Sequence, residues 1–193
     1  PEKTTTMAHD MWFSSFKSMF DEALDNYDIS GWKIKRMPNN VDTDRRALEA
    51  GRRKGWPFRL HNGRAKFECP WCRKKWTSAY TTIVWRANWN AGVIQINIEE
   101  QGCQRCNRMG KVSVIDEEHI KFALDWMCQW LLEVFYGIRN EENSSSDDEP
   151  DEEKKITDPH DCGRCNAGKK GTCKKCNLIF RQQMVFVNNQ RRR

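Results

Sequence analysis

Long hydrophobic runs are missing from this chain of 193 residues. No stretch is long or apolar enough to cross a bilayer as a helix, and charge interrupts the segment after Met7 every few residues, which a signal-peptide core does not tolerate. Apolar residues make up only 38% of the sequence, little for a well-cored globule of this size. Histidine is scarce: His9, His61, His119 and His160 are scattered. There is no glycine-rich phosphate loop and no nucleophile elbow. These absences argue against an enzyme and against a small-molecule substrate. Without export, disulfides are not expected, so cysteines that come in pairs read as metal ligands.

Cysteine is what the chain has instead. Eight of nine fall into four Cys-x-x-Cys pairs, Cys69/Cys72, Cys103/Cys106, Cys162/Cys165 and Cys173/Cys176. Each pair offers two thiolates from one tight turn, and two pairs complete a tetrahedral tetrathiolate site. The expectation is two structural Zn²⁺ ions in closed sites, with no open position for a water or substrate. The formal charge of +6 then loses its meaning. Eight thiolates and two Zn²⁺ together bring it to about +2, and only local clustering of charge is informative.

Aromatic residues supply the core, with Trp and Phe present nine times each. Trp12, Phe16, Met19, Phe20, Leu24 and Tyr27 recur at helical spacing, predicting an amphipathic helix over Met7 to Tyr27. Residues 32–62 carry Pro38, Gly51, Gly55 and Pro57 and read as mostly irregular; they also collect Arg45, Arg46, Arg52, Arg53, Lys54 and Arg59. After the first Cys pair the pattern turns to strand from Trp76 to Trp89. A turn at Asn90, Ala91 and Gly92 follows, then Val93 to Glu100, whose Ile94, Ile96 and Ile98 share one face while Gln95, Asn97 and Glu99 share the other. This hairpin returns Cys72 and Cys103 to one end.

Asp116 to Tyr136 is the strongest helix, with acids in its first turn and Gly137 past its end. Its stripe is Ile120, Ala123, Leu124, Met127, Leu131, Val134 and Phe135, with Cys128 as a packed core thiol. Residues 140–158 are acidic and serine-bearing and read as a flexible linker, its Ser144 to Ser146 before Asp147 resembling acidophilic kinase sites. Residues 180–187 are a candidate edge strand. The organisation expected is a disordered leader over 1–6, a zinc-finger core over 7–139, the linker, and a Cys-rich zinc-binding segment over 159–193. The fold class is α+β: a zinc-stapled antiparallel hairpin or small sheet, zinc-ribbon-like, with the N-terminal helix and the long helix packed on it.

The order of motifs is distinctive. F-x-C-P-W-C leads into K-K-W-T-S-A, a hairpin, Q-G-C-Q-R-C, a helix ending F-Y-G, an acidic gap and C-G-R-C. This resembles the three-Cys-x-x-Cys zinc fingers, most of all the receptor-transporting proteins, and its C-terminal part is similar to zygote arrest proteins. The likeness covers about Phe67 to Cys173. It implies a non-enzymatic, cytoplasmic adaptor or chaperone, peripheral to the endoplasmic reticulum or plasma membrane, that carries seven-transmembrane receptors to the cell surface. The alternative it implies is an RNA-binding protein in translational control or antiviral defence. Members of the first kind often end in a membrane anchor, and residues 177–193 are too short and charged to be one, which implies a soluble member or a chain cut short.

The family's eighth ligand is usually a His upstream of the third Cys pair. Here His160 lies two residues before Cys162, while Cys176 completes a fourth pair, so either can be that ligand. Grouping is open as well. Cys69, Cys72, Cys103 and Cys106 share one ion and Cys162, Cys165, Cys173 and Cys176 the other, or the late pairs complete sites begun by the early ones. Basic residues around the Cys pairs either contact phosphate or offset thiolate charge. Trp71, Trp76, Trp85, Trp89 and Tyr80 either stack on bases or pack the hairpin. The aromatic N-terminal helix either packs in the core or meets a partner.

Overall fold

The computed structural model describes residues 11–139 and 160–180. In chain order these form α1 (Met11–Asp25), β1 (Lys33–Arg36), α2 (Arg45–Arg52), β2 (Phe58–Glu68), β3 (Lys75–Asn88), β4 (Val93–Ile98), β5 (Gln101–Gly102), β6 (Met109–Val114), α3 (Glu117–Leu131) and α4 (Asn166–Lys169). The strands make one six-stranded sheet in the order β1-β4-β3-β2-β6-β5. All pairings are antiparallel except β1 with β4.

Apolar patterning decides which face of the sheet each helix covers. Trp12, Phe16, Phe20 and Leu24 of α1 and Ile120, Ala123, Leu124, Met127 and Leu131 of α3 are buried with Ala65, Phe67, Trp85, Ile94 and Ile96 in one cluster. Phe16 meets Trp85 edge to face at 5.7 Å, a geometry aromatic pairs favour. The aromatic helix is therefore core. Cys128 lies in the same cluster, fully buried, and burial pushes its thiol up to about 12. On the opposite face a smaller cluster of Met37, Leu48 and Val84 sits under α2.

Residues 32–62 are more ordered than their prolines and glycines led us to expect. Strand β1 has one buried residue, Ile34, too little for a periodic signal; it exists because β4 supplies its hydrogen-bonding partner in register, Ile34 against Ile94. Helix α2 buries only Leu48 and is capped by Asp44, which accepts from the Arg46 N–H. Strand β2 begins at Phe58 and carries a bulge between Gly63 and Ala65, which breaks its alternation. The expected two-stranded hairpin is thus the centre of a wider sheet.

The long helix also departs from its pattern at the end. Leu132–Tyr136 forms one turn of π-helix, which inserts an extra residue and rotates the stripe. Val134, expected inside, is exposed. Gly137 then closes the helix at φ 68°, the left-handed geometry that favours glycine. Among the described residues no helix is long and apolar enough to cross a membrane. The leader over 1–6, the linker over 140–158 and its serines lie outside the described residues. So does most of the candidate strand over 180–187, whose first residue, Phe180, is helical.

Candidate metal centres

The first two Cys pairs occupy hairpin turns of the sheet. Cys69 and Cys72 lie between β2 and β3, and Cys103 and Cys106 between β5 and β6. The two turns repeat one backbone pattern. The Cys69 N–H donates to the Lys74 carbonyl at 2.9 Å and the Arg73 N–H to the Cys69 carbonyl at 3.0 Å; the Cys103 N–H donates to Arg108 at 2.8 Å and the Asn107 N–H to Cys103 at 2.9 Å. Each turn closes on a residue at positive φ, Arg73 at 60° and Asn107 at 57°.

Pairing of β2 with β6 brings the two turns face to face. Cys69 Sγ stands 3.4 Å from Cys106 Sγ and Cys72 Sγ 3.5 Å from Cys103 Sγ, with all four sulfurs within 4.8 Å of one another. Zinc at about 2.3 Å from each sulfur needs tetrahedral edges of about 3.8 Å, and this cluster fits it. The N–H groups of Cys72 and Trp71 point at Cys69 and draw its thiol down to about 6, favouring the thiolate a metal requires.

The second cluster is built from helix ends. Cys165 caps α4, its sulfur accepting from the Gly168 N–H at 3.3 Å. Cys173 precedes the helical residues 174–180, and its sulfur lies 3.5 Å from the Cys176 nitrogen. His160 Nε2 stands 3.2 Å from Cys176 Sγ and 3.5 Å from Cys173 Sγ. His160, Cys165, Cys173 and Cys176 offer donors within 4.8 Å of one another, and Cys162 packs against them, half-buried. The two candidates for the eighth ligand, His160 and Cys176, are both present; Cys162 is the donor that stands outside the set. Hydrogen bonds from the Cys165 thiol and His160 draw Cys173 down to about 3. Gly168 is needed where it is, because a Cβ there would lie 2.7 Å from Cys176 Sγ.

The early and late pairs keep to separate clusters, yet the tail is pinned to the sheet without sharing an ion. The Gly102 N–H donates to the Arg164 carbonyl at 2.8 Å and the Arg45 N–H to the Lys170 carbonyl at 3.0 Å. Glu99, only 3% exposed, is the hub. Its carboxylate accepts from Lys170 Nζ at 3.0 Å, Asn166 Nδ2 at 2.9 Å, Asn97 Nδ2 at 3.1 Å and the Thr43 hydroxyl. The polar face of β4 is thus a docking surface rather than a solvated one. Sequence reasoning missed Thr43, Glu99, Asn166 and Lys170; the available signal was a polar face with amides and an acid but no lysine.

Residues 62–171 match the family model of the three-Cys-x-x-Cys zinc ribbon, a zinc-binding domain. The chain belongs to this family. The match covers more than half of the sequence and three of its Cys pairs, ending two residues before Cys173. No curated protein and no solved structure matches the chain. Zinc is therefore the metal that both clusters are suited to hold, and a full set of donors at each gives it a structural task.

The basic residues near the clusters are largely engaged within the molecule. Arg73 and Lys75 pair with Glu68 at 3.0 and 3.7 Å, Lys74 donates to Gln104, and Arg164 pairs with Asp161 at 3.3 Å. Arg108 lies 4.0 Å over the Trp71 ring and Lys175 5.5 Å over Tyr80. The tryptophans divide. Trp85 is core and Trp76 stacks on Phe67 at 5.5 Å, while Trp71 and Trp89 are exposed. Arg45, Arg46, Arg52, Arg53 and Lys54 stand exposed on and just beyond α2.

Proposed function

We propose that this zinc-binding protein is a non-enzymatic adaptor of the receptor-transporting kind, acting on the cytoplasmic side of secretory membranes to help seven-transmembrane receptors reach the cell surface. The observation that carries this reading is an aromatic rim at one end of the sheet. Trp89 stacks on Phe135 at 5.8 Å and meets Tyr136 edge-on at 5.4 Å, with Trp32 beneath, 5.0 Å from Phe135. Trp89, Val134, Tyr136 and Ile138 all remain exposed. Rigid aromatic side chains held by packing, with one face left bare, are what protein contacts are made from. Helix α1 is committed to the core, so the contact surface moves from that helix to this rim.

A second reading, RNA binding, is favoured by a different observation. The fold joins the basic α2 to the lysine-bearing tail through the Arg45 to Lys170 backbone bond, bringing together cations far apart in sequence. Two variants separate the readings. Trp89→Ala/Tyr136→Ala should lower surface delivery of a co-expressed receptor several-fold while the protein keeps both zincs, and Arg46→Glu/Arg52→Glu/Arg53→Glu should leave delivery intact. Full delivery by the rim variant overturns the adaptor reading. Salt-sensitive RNA affinity that the charge-reversal variant alone loses establishes the second in its place.

A further inference from the structure

The second cluster contains one donor too many. A tetrahedral zinc takes four ligands, and five are gathered between residues 160 and 176: His160, Cys162, Cys165, Cys173 and Cys176. Three are fixed by their burial. Cys165, Cys173 and Cys176 are 3%, 0% and 0% exposed, and two of them are held by N–H groups at helix starts. The fourth position has two claimants, both half-buried. His160 Nε2 lies 3.2 and 3.5 Å from two of the fixed sulfurs, close to the edge of about 3.6 Å expected between nitrogen and sulfur around zinc. The Tyr80 ring of β3 holds the imidazole edge-on at 5.9 Å. Cys162 packs against the same buried cluster of Cys165, Cys173 and Cys176.

We infer that His160 and Cys162 compete for one coordination position, with His160 the resident ligand and Cys162 a reserve that takes its place when the imidazole leaves. In the exchange the bond from zinc to the imidazole nitrogen breaks, the Cys162 thiol gives up its proton to water and its sulfur binds, so a three-thiolate site of net charge −1 becomes a four-thiolate site of −2 at constant occupancy. Each donor is tethered to the same short loop, so the incoming thiol is always at high local concentration. The inference concerns zinc ligation alone and stands apart from the adaptor reading.

The full chain tests it as wild type, His160→Ala, Cys162→Ser and the double variant. Native mass spectrometry should find two zincs in the wild type and in each single variant, and one in the double variant. With Co²⁺ in place of zinc, thiolate charge-transfer absorbance should rise by one thiolate's share in His160→Ala and stay at the wild-type level in Cys162→Ser. Brief alkylation of the native zinc form should modify Cys162 in the wild type and spare it in His160→Ala. Loss of an ion from either single variant overturns the inference. So does a double variant that keeps both ions, or a fall in absorbance in Cys162→Ser, which would make Cys162 the resident ligand. If the double variant does not fold, the absorbance and alkylation of the two single variants decide.

Discussion

The two zinc clusters both draw on Cys-x-x-Cys pairs but set them on opposite kinds of support. The first hangs from two hairpin turns whose strands are the sheet itself, so its metal and the fold stabilise one another directly. The second sits on helix starts in a tail whose attachment to the sheet is a handful of hydrogen bonds and one buried ion pair. Strand turns make a site whose loss is global, whereas a docked tail makes one whose loss is local. Separating structure from attachment in this way lets one cluster change without endangering the other.

The largest effect expected from this contrast is a difference between two cysteine substitutions. Structural zinc contributes on the order of 10 kcal/mol, comparable to the whole stability of a domain, about 5–15 kcal/mol. Cys103→Ser should therefore unfold the sheet, seen as loss of far-ultraviolet circular dichroism together with both ions. Cys173→Ser should keep one ion and slow amide exchange in β2, β3 and β4, while amides of residues 160–180 exchange freely. Equal collapse of both variants would erase the distinction.

A smaller effect isolates the attachment. Glu99→Ala leaves Lys170 and Asn166 without their shared acceptor, and breaking a buried pair of this kind costs about 3 kcal/mol, somewhat less here because the Lys170 side chain is 30% exposed. The measurement is amide exchange in the tail at full zinc occupancy; exchange unchanged from wild type would mean that Glu99 is not the hub. Gly168→Ala should act within the second cluster alone. Its new Cβ would lie 2.7 Å from Cys176 Sγ, and overpacking of this kind costs about 1–3 kcal/mol. Zinc competition with a chelator should show weaker retention of one ion and no change in the other.

The ninth cysteine belongs to neither cluster, and its signal is spread over pH. Burial pushes the Cys128 thiol up to about 12, while in the unfolded chain it ionises near its ordinary value. Between those two values the unfolded state holds fewer protons, so stability falls as pH rises, by at most about 1.4 kcal/mol per unit. Urea midpoints from pH 8 to 11 should fall more steeply in the wild type than in Cys128→Ala. Identical slopes would place the alkaline loss elsewhere.

How much was legible in the sequence follows from where each signal originates. The hairpin of β3 and β4, the aromatic stripe of α1 and most of α3 carry their own periodicity, and the Cys-x-x-Cys spacing announces its own chemistry. Strand β1, with only Ile34 buried, and α2, with only Leu48, carry none, since what holds them is a neighbour elsewhere in the chain. Val134 was misplaced because a π turn changes the period within one helix. The hub at Glu99 was invisible for the same reason as β1: apart from the neighbouring Asn97, its partners come from residues 43, 166 and 170, and nothing local to β4 names those.

The tail has one more contact with a consequence of its own. Strand β5 ends the sheet order, and its open side is met by Cys165, which bridges to Gln101, and by the Arg164 carbonyl. An uncovered strand edge invites pairing with another molecule. The opposite edge, β1, is blunted by Lys33, Lys35 and Arg36, all exposed; β5 has no charged residue and is shielded by the metal-bearing segment instead. Stripping the second zinc would thus bare this edge for pairing with another molecule, so that aggregation, rather than unfolding, would be the first visible sign of zinc starvation.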